Sequence, residues 1–197
     1  MQKKGWGNPE WWSKLIWKLK GPAKAKILLW CMLKRKVPTW DILRARYLVG
    51  PGRCPLCKTE EESINHLFIS CDESKKIWRE LSRLLNIKAQ LANEPLDLAW
   101  SRWWKTFPEG NMRILPLIYF WGVWIERNKS LFQDKDTPIA VTAINCAAIF
   151  SAIPDPDPKP LQSSSKSVNI QEVSLGLFST GPLRTTRQGL DCASQIF

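Results

Sequence analysis

Three cysteines and the chain's single histidine fall within eighteen residues, at the spacing Cys54-x2-Cys57-x8-His66-x4-Cys71. Two sulfurs separated by two residues on a tight turn can face one ion. A short return of the chain then supplies the other two donors. Zn²⁺ has no d-electron preference and accepts a tetrahedron of thiolate and imidazole ligands. The spacing therefore predicts one zinc ion held by Cys54, Cys57, His66 and Cys71, with Pro55 helping to hold the first turn. Four protein ligands close the coordination sphere, so the metal would be structural and its binding free energy would be folding free energy. Arg53 and Lys58 flank the first pair and could offset the charge of three thiolates. Glu61 and Glu62 are candidates to accept the second ring nitrogen of His66. Two other readings stand beside this one: three reduced thiols and a histidine without metal, and a redox Cys-x-x-Cys pair. The second expects a βαβ context that the sequence lacks.

The charge is as uneven as the cysteines. The 197-residue chain has a net charge of +11, and residues 1–60 hold 14 basic residues against three acidic ones, which accounts for the whole excess. Such asymmetry points to a polyanionic partner, either nucleic acid (RNA or DNA) or an anionic membrane surface, and the bland alternative is a solvated basic face. The candidate contacts are Lys14, Lys18, Lys20, Lys24, Lys26, Lys34, Arg35, Lys36, Arg44 and Arg46. They interleave with Trp11, Trp12, Trp17, Trp30 and Trp40, whose rings could stack on unpaired bases if exposed. The chain has twelve tryptophans. Any one of them reads better as core, yet so many large rings imply that some lie at a groove or interface. A protein partner on a Trp-rich surface is thus a second expectation.

No secretory signal is visible near the N-terminus, and the longest apolar run, Ile114–Ile125, is too short to span a bilayer. No membrane association and a reducing nuclear or cytoplasmic location are expected. Apolar periodicity predicts helices over 10–19, 22–35, 40–49, 73–86, 96–106, 112–132 and 138–151. Thr39 is a candidate cap for the third helix, and Asp72 or Ser74 for the fourth. In the fourth, Ile77, Trp78, Leu81, Leu84 and Leu85 form one apolar face. Pro116 should kink or delay the sixth. Cys31 and Cys146, in apolar helical segments, read as small buried hydrophobes. From Pro154 the composition turns Pro- and Ser-rich, and 153–197 reads as a disordered tail. The fold class is mainly α: a small helical domain with a zinc-stapled insert of three cysteines and one histidine at 54–71 and a disordered C-terminal tail.

Several segments in order carry a family likeness. They are Trp17, Leu19, Pro22 and Lys24, then Leu29-Trp30, Pro38-Thr39 and Leu43. Next come Cys54, Cys57, Glu62, His66-Leu67-Phe68, Cys71 and Trp78, and finally Trp124, Arg127-Asn128 and Phe132. Over about residues 6–135 the chain resembles the reverse transcriptase zinc-binding domain of plant LINE-type non-LTR retrotransposons, with 136–152 as an apolar helical extension. The resemblance implies zinc as the one cofactor, nucleic acid as the presumed partner and no small-molecule substrate. Residues 188–197 resemble the start of an RNase H domain, with Asp191 at its first carboxylate and Cys192 where glycine is expected. No Tyr-x-Asp-Asp polymerase motif occurs. The expectation is a non-enzymatic remnant without catalytic residues. Arg127 and Asn128 read as pairing within the fold rather than contacting phosphate.

Overall fold

The structure, a computed structural model, describes residues 11–50 and 52–154. The tail expected from residue 153, with Asp191, lies outside the described residues from 155 onward. Among the described residues seven α-helices follow one another: α1 Trp11–Lys18, α2 Ala23–Leu33, α3 Trp40–Arg44, α4 Asp72–Leu84, α5 Leu96–Thr106, α6 Leu115–Gln133 and α7 Ile139–Ser151. A π-helical turn, His66–Ser70, precedes α4, and a 3₁₀ turn, Asn111–Ile114, precedes α6. Among the described residues there are no strands, only an isolated antiparallel bridge between Arg53 and Glu61.

The centre of the fold is α6. Every residue from Leu115 to Trp124 is buried, so this helix is covered on all sides by α2, α4, α7 and the π turn. A helix that is apolar all round must be enclosed in this way. Pro116 sits in its first turn, where a missing N–H breaks no helical bond, and the 3₁₀ turn leads into it. The proline thus delays the helix rather than kinking it. α4 lies across α7 and shows α6 only part of its face. Of its expected apolar stripe, Ile77, Trp78 and Leu81 are buried, whereas Leu84 in the last turn is exposed.

Aromatic packing joins the layers. Trp78 of α4 meets Trp103 of α5 edge-on with ring centres 5.4 Å apart, and meets Tyr119 of α6 at 5.0 Å. Phe68 of the π turn contacts Phe120 at 5.7 Å. The Trp103 indole N–H donates to the Met112 carbonyl at 2.8 Å, which holds the 3₁₀ turn against α5. Trp12, Trp78, Trp100, Trp103, Trp121 and Trp124 are buried, and Trp17 is the exposed indole among the described residues. The tryptophan richness is therefore mostly core.

Three local expectations change. The third helix stops at Arg44, five residues long, and the Thr39 hydroxyl bonds to Val37 and Asp41 instead of capping it. Neither Asp72 nor Ser74 caps α4; Cys71 occupies that position. The buried Ser74 hydroxyl donates backward to the Leu67 carbonyl at 2.6 Å, because the π turn leaves that oxygen without a helical partner. Cys31 and Cys146 are both buried, as their apolar surroundings suggested.

Candidate metal centre

Two short segments make the first half of the site. Residues 52–54 and 60–62 run antiparallel: Cys54 N–H donates to Glu60 O and Glu62 N–H to Gly52 O, each at 2.8 Å. The turn joining them closes with Lys58 N–H on Cys54 O at 2.8 Å. Lys58 takes a left-handed conformation, φ 60°, which the reversal after Cys57 requires. The turn aims the sulfurs of Cys54 and Cys57 inward.

The π turn makes the second half. Its defining bond runs from Cys71 N–H to His66 O at 2.7 Å, so residues five apart return to one another. An α-helical turn would bring residues four apart together instead. The wider turn therefore puts the side chains of His66 and Cys71 on one site. Tyr119 of α6 holds it in place, its buried hydroxyl lying 3.0 Å from Ser74 O and 3.2 Å from Phe68 O.

All four donor atoms lie within 4.8 Å of one another. Cys54 Sγ is 4.0 Å from Cys71 Sγ, and Cys57 Sγ is 3.4 Å from His66 Nε2. A tetrahedron with metal–sulfur bonds of about 2.3 Å has sulfur–sulfur edges of about 3.8 Å and sulfur–nitrogen edges of about 3.6 Å. The donor set and its spacing fit zinc. Cys54, Cys71 and His66 are buried and Cys57 is half-buried, so the site is shielded.

The surroundings favour ionisation at two of the three sulfurs, Cys57 and Cys71, and oppose it at Cys54. The Cys54 thiol donates to Cys71, which raises its own pKa and lowers that of Cys71; the amides of Glu73 and Ser74 at the start of α4 add to the second effect. At Cys57 burial opposes ionisation, but the amides of Glu60 and Thr59 and the Thr59 hydroxyl outweigh it and hold the thiol below its ordinary value. Burial likewise works against a charge on His66, and the Cys57 and Cys71 sulfurs together with Glu60 more than offset it.

The carboxylate beside the imidazole is Glu60, with Oε2 3.1 Å from His66 Nδ1 but out of line for a good hydrogen bond. Neither of the acids expected there takes this role. Glu61 pairs with Arg44 at the surface, 3.4 Å apart. Glu62 turns into the core, where both of its oxygens meet the Arg127 guanidinium at 2.9 and 3.1 Å and one accepts the Trp40 N–H at 3.0 Å. Arg127 also donates to Pro38 O at 3.2 Å and lies over the Trp124 ring. Further ties seat the insert on its scaffold: Ser130 Oγ to Pro55 O at 3.1 Å, and the Leu96 N–H to Asn65 Oδ1 at 3.0 Å. The Asn65 tie leaves no trace in the spacing of the sequence. Only polar side chains inside an otherwise apolar stretch hint at the Glu62–Arg127 pair.

Residues 1–78 match a protein-family model described as zinc-binding in reverse transcriptase. The likeness to a reverse transcriptase zinc-binding domain is shown over this stretch, which contains all four metal-ligand candidates, α1 to α3 and the first half of α4. No curated protein and no solved structure matches the chain. The reverse transcriptase zinc-binding region thus includes the whole donor set, while the Arg127 and Tyr119 that support it come from α6, outside the match.

The candidate cationic contacts surround this region without converging on the metal. Lys14, Lys18, Lys20, Lys24, Arg35, Lys36, Arg44 and Arg46 are exposed, and Lys26 and Lys34 are half-buried. Lys34 stands over the Trp12 ring at 5.6 Å. Among the described residues no helix is long and apolar enough to cross a membrane.

Proposed function

We propose that this chain is a zinc-binding, nucleic-acid-binding remnant of a retrotransposon reverse transcriptase polyprotein, of plant LINE type, without polymerase or nuclease activity. The observation that carries this reading is the charge: the entire net +11 resides in the first 60 residues, within the family match, and the basic side chains among the described residues there are mostly exposed. Cations at that density release counterions on contact with phosphates. The metal's role is structural. Four protein donors leave no open position for water or substrate, so the zinc staples residues 52–71 rather than acting as a Lewis acid. The partner is RNA or DNA, in the nucleus or cytoplasm.

The test is a binding titration of the zinc-loaded chain against a 20-nucleotide RNA and the matching DNA at several salt concentrations. A log K that falls steeply with log salt supports the reading.

A second reading, a module that docks on a polymerase or RNase H domain, is favoured by one feature. A cleft of about 470 Å³ between α1 and α5 is lined by Trp11, Leu15 and Trp104. That reading expects salt-insensitive nucleic-acid binding and self-association of the isolated chain.

A further inference from the structure

Beyond α3 the chain makes a tight excursion before entering the metal-binding turn. Three consecutive apolar residues face solvent at its tip: Tyr47 is 95% exposed, Leu48 54% and Val49 100%. The tip is ordered by its own backbone. Arg46 N–H bonds to Leu43 O at 2.9 Å, Tyr47 N–H to Arg44 O at 2.9 Å and Leu48 N–H to Leu43 O at 3.1 Å. Tyr47 has φ 62°, a left-handed conformation uncommon for a bulky aromatic residue. Strain of this kind persists only where the surroundings impose it, and it concentrates at functional positions.

The base of the excursion is pinned. Gly50 lies so close on the Trp40 ring that a Cβ there would fall 1.8 Å from the indole. The Trp40 N–H in turn is held by Glu62. The contact therefore transmits the position of the metal-binding insert to the tip. Exposed arginines flank these residues along the chain: Arg44 and Arg46 precede them, and Arg53 follows on the segment bridged to Glu61. Glu61 partly offsets Arg44. Arg46 and Arg53 make no ion pair with the described residues.

An aromatic ring presented fully to solvent between cations fits an unpaired nucleobase with its flanking phosphates. A duplex has no splayed base for it. A tip of three apolar residues on a chain matching a reverse transcriptase family favours this occupant over a lipid surface. We infer that the Tyr47–Val49 tip is a contact for single-stranded nucleic acid, with Tyr47 stacking on a base and Arg46 and Arg53 on phosphates. The inference rests on the nucleic-acid reading above and narrows it to single strands.

The experiment titrates the zinc-loaded full chain against a fluorescein-labelled 20-nucleotide single strand and its duplex, and repeats the single strand with one 2-aminopurine. Tyr47→Ala should weaken single-strand binding about 5- to 150-fold, the range for one stacked base, with the salt slope unchanged. It should also abolish 2-aminopurine quenching. Tyr47→Trp should retain both. The double variant Arg46→Ala with Arg53→Ala should lower the salt slope by about 1.4, from about 0.7 per phosphate contact. Wild-type affinity in Tyr47→Ala overturns the inference and leaves the nucleic-acid reading intact. Absence of oligonucleotide binding by the wild type removes both. Tyr47-dependent binding to anionic phosphatidylserine vesicles, with none to single strands, also overturns it.

Discussion

Arg127 reaches from the middle of the polypeptide into the metal-binding insert and grips both oxygens of Glu62, with both side chains fully enclosed. Glu62 sits four residues before His66, so this pair aligns the insert with α6. It also fixes the entrance to α3, through Pro38 O and the Trp40 N–H. Removing one partner strands a buried charge, which typically costs about 3–5 kcal/mol. Arg127→Met should lower the unfolding free energy of the zinc-loaded chain, measured in urea, by that amount. Adding Glu62→Gln to Arg127→Met should recover part of the loss, because the amide remains an acceptor for Trp40 and carries no charge. A double variant as unstable as the sum of the singles would mean that the two residues act independently.

The metal centre predicts a stoichiometry and a direction with pH. Native mass spectrometry should find one zinc per chain, lost under denaturing conditions and absent in Cys57→Ser. Its removal by a chelator should release residues 52–71 to rapid amide exchange while α6 and α7 stay protected, because their contacts do not pass through the metal. Protons compete with zinc for sulfur and imidazole, so affinity should fall as pH is lowered. Amide exchange in 52–71 that is unchanged by chelation would argue against a structural ion.

Most of the helices and the donor set are legible in the sequence, because each rests on a local pattern. Apolar spacing marks α5 at its observed limits, and Cys-x2-Cys on a turn needs no tertiary information. What could not be read depends on distance in sequence. Alternation along the short antiparallel segment sends Glu61 to the surface beside Arg44 and leaves Glu60 and Glu62 on the other side. Glu60 lies at the turn end, beside His66, and Glu62 at the far end, against Arg127. The π turn was invisible for a related reason. It is held by Tyr119, some fifty residues away, and by Ser74, which propensity alone made a helix cap. Leu84 belongs to the apolar pattern of α4 but lies past the end of its partner surface. The basic face was legible as charge, whereas the exposure of Tyr47 was hidden, since nothing in the composition of that segment marks it as a tip.

Cys146 of α7 supplies a test at alkaline pH. Its thiol is buried and within reach of the Ile118 carbonyl at 3.7 Å, and burial pushes its pKa up to about 12 from an ordinary 9.0. A group whose folded pKa is raised favours the folded state while protonated. That contribution is complete below the unfolded value and is lost as pH rises from about 9 to about 12. Stability of the wild type relative to Cys146→Ala should therefore fall between those limits, with a slope of at most about 1.4 kcal/mol per pH unit. Denaturation midpoints of the two proteins from pH 8 to 11 measure it. Parallel curves would show that the Cys146 thiol titrates at the same pH folded and unfolded.

The same sulfur sets a steric limit on α6. A Cβ on Gly122 would lie 2.4 Å from Cys146 Sγ and 3.7 Å from Thr142 Cγ2. The glycine therefore lets the buried Cys146 side chain of α7 lie directly against α6. Ala is the better helix former, by about 1 kcal/mol at an unconstrained site. Overpacking a dense core costs about 1–3 kcal/mol, and with backbone on both sides the sulfur has little room to retreat. Gly122→Ala should consequently destabilise the chain in urea by about 1–2 kcal/mol. Cys146→Ala removes the obstructing atom, so Gly122→Ala made in that background should be neutral or stabilising. This reversal of sign separates a clash at one atom pair from a general intolerance of side chains at position 122. If Gly122→Ala is equally harmful in both backgrounds, the close approach involves the backbone of α7 and not the Cys146 side chain.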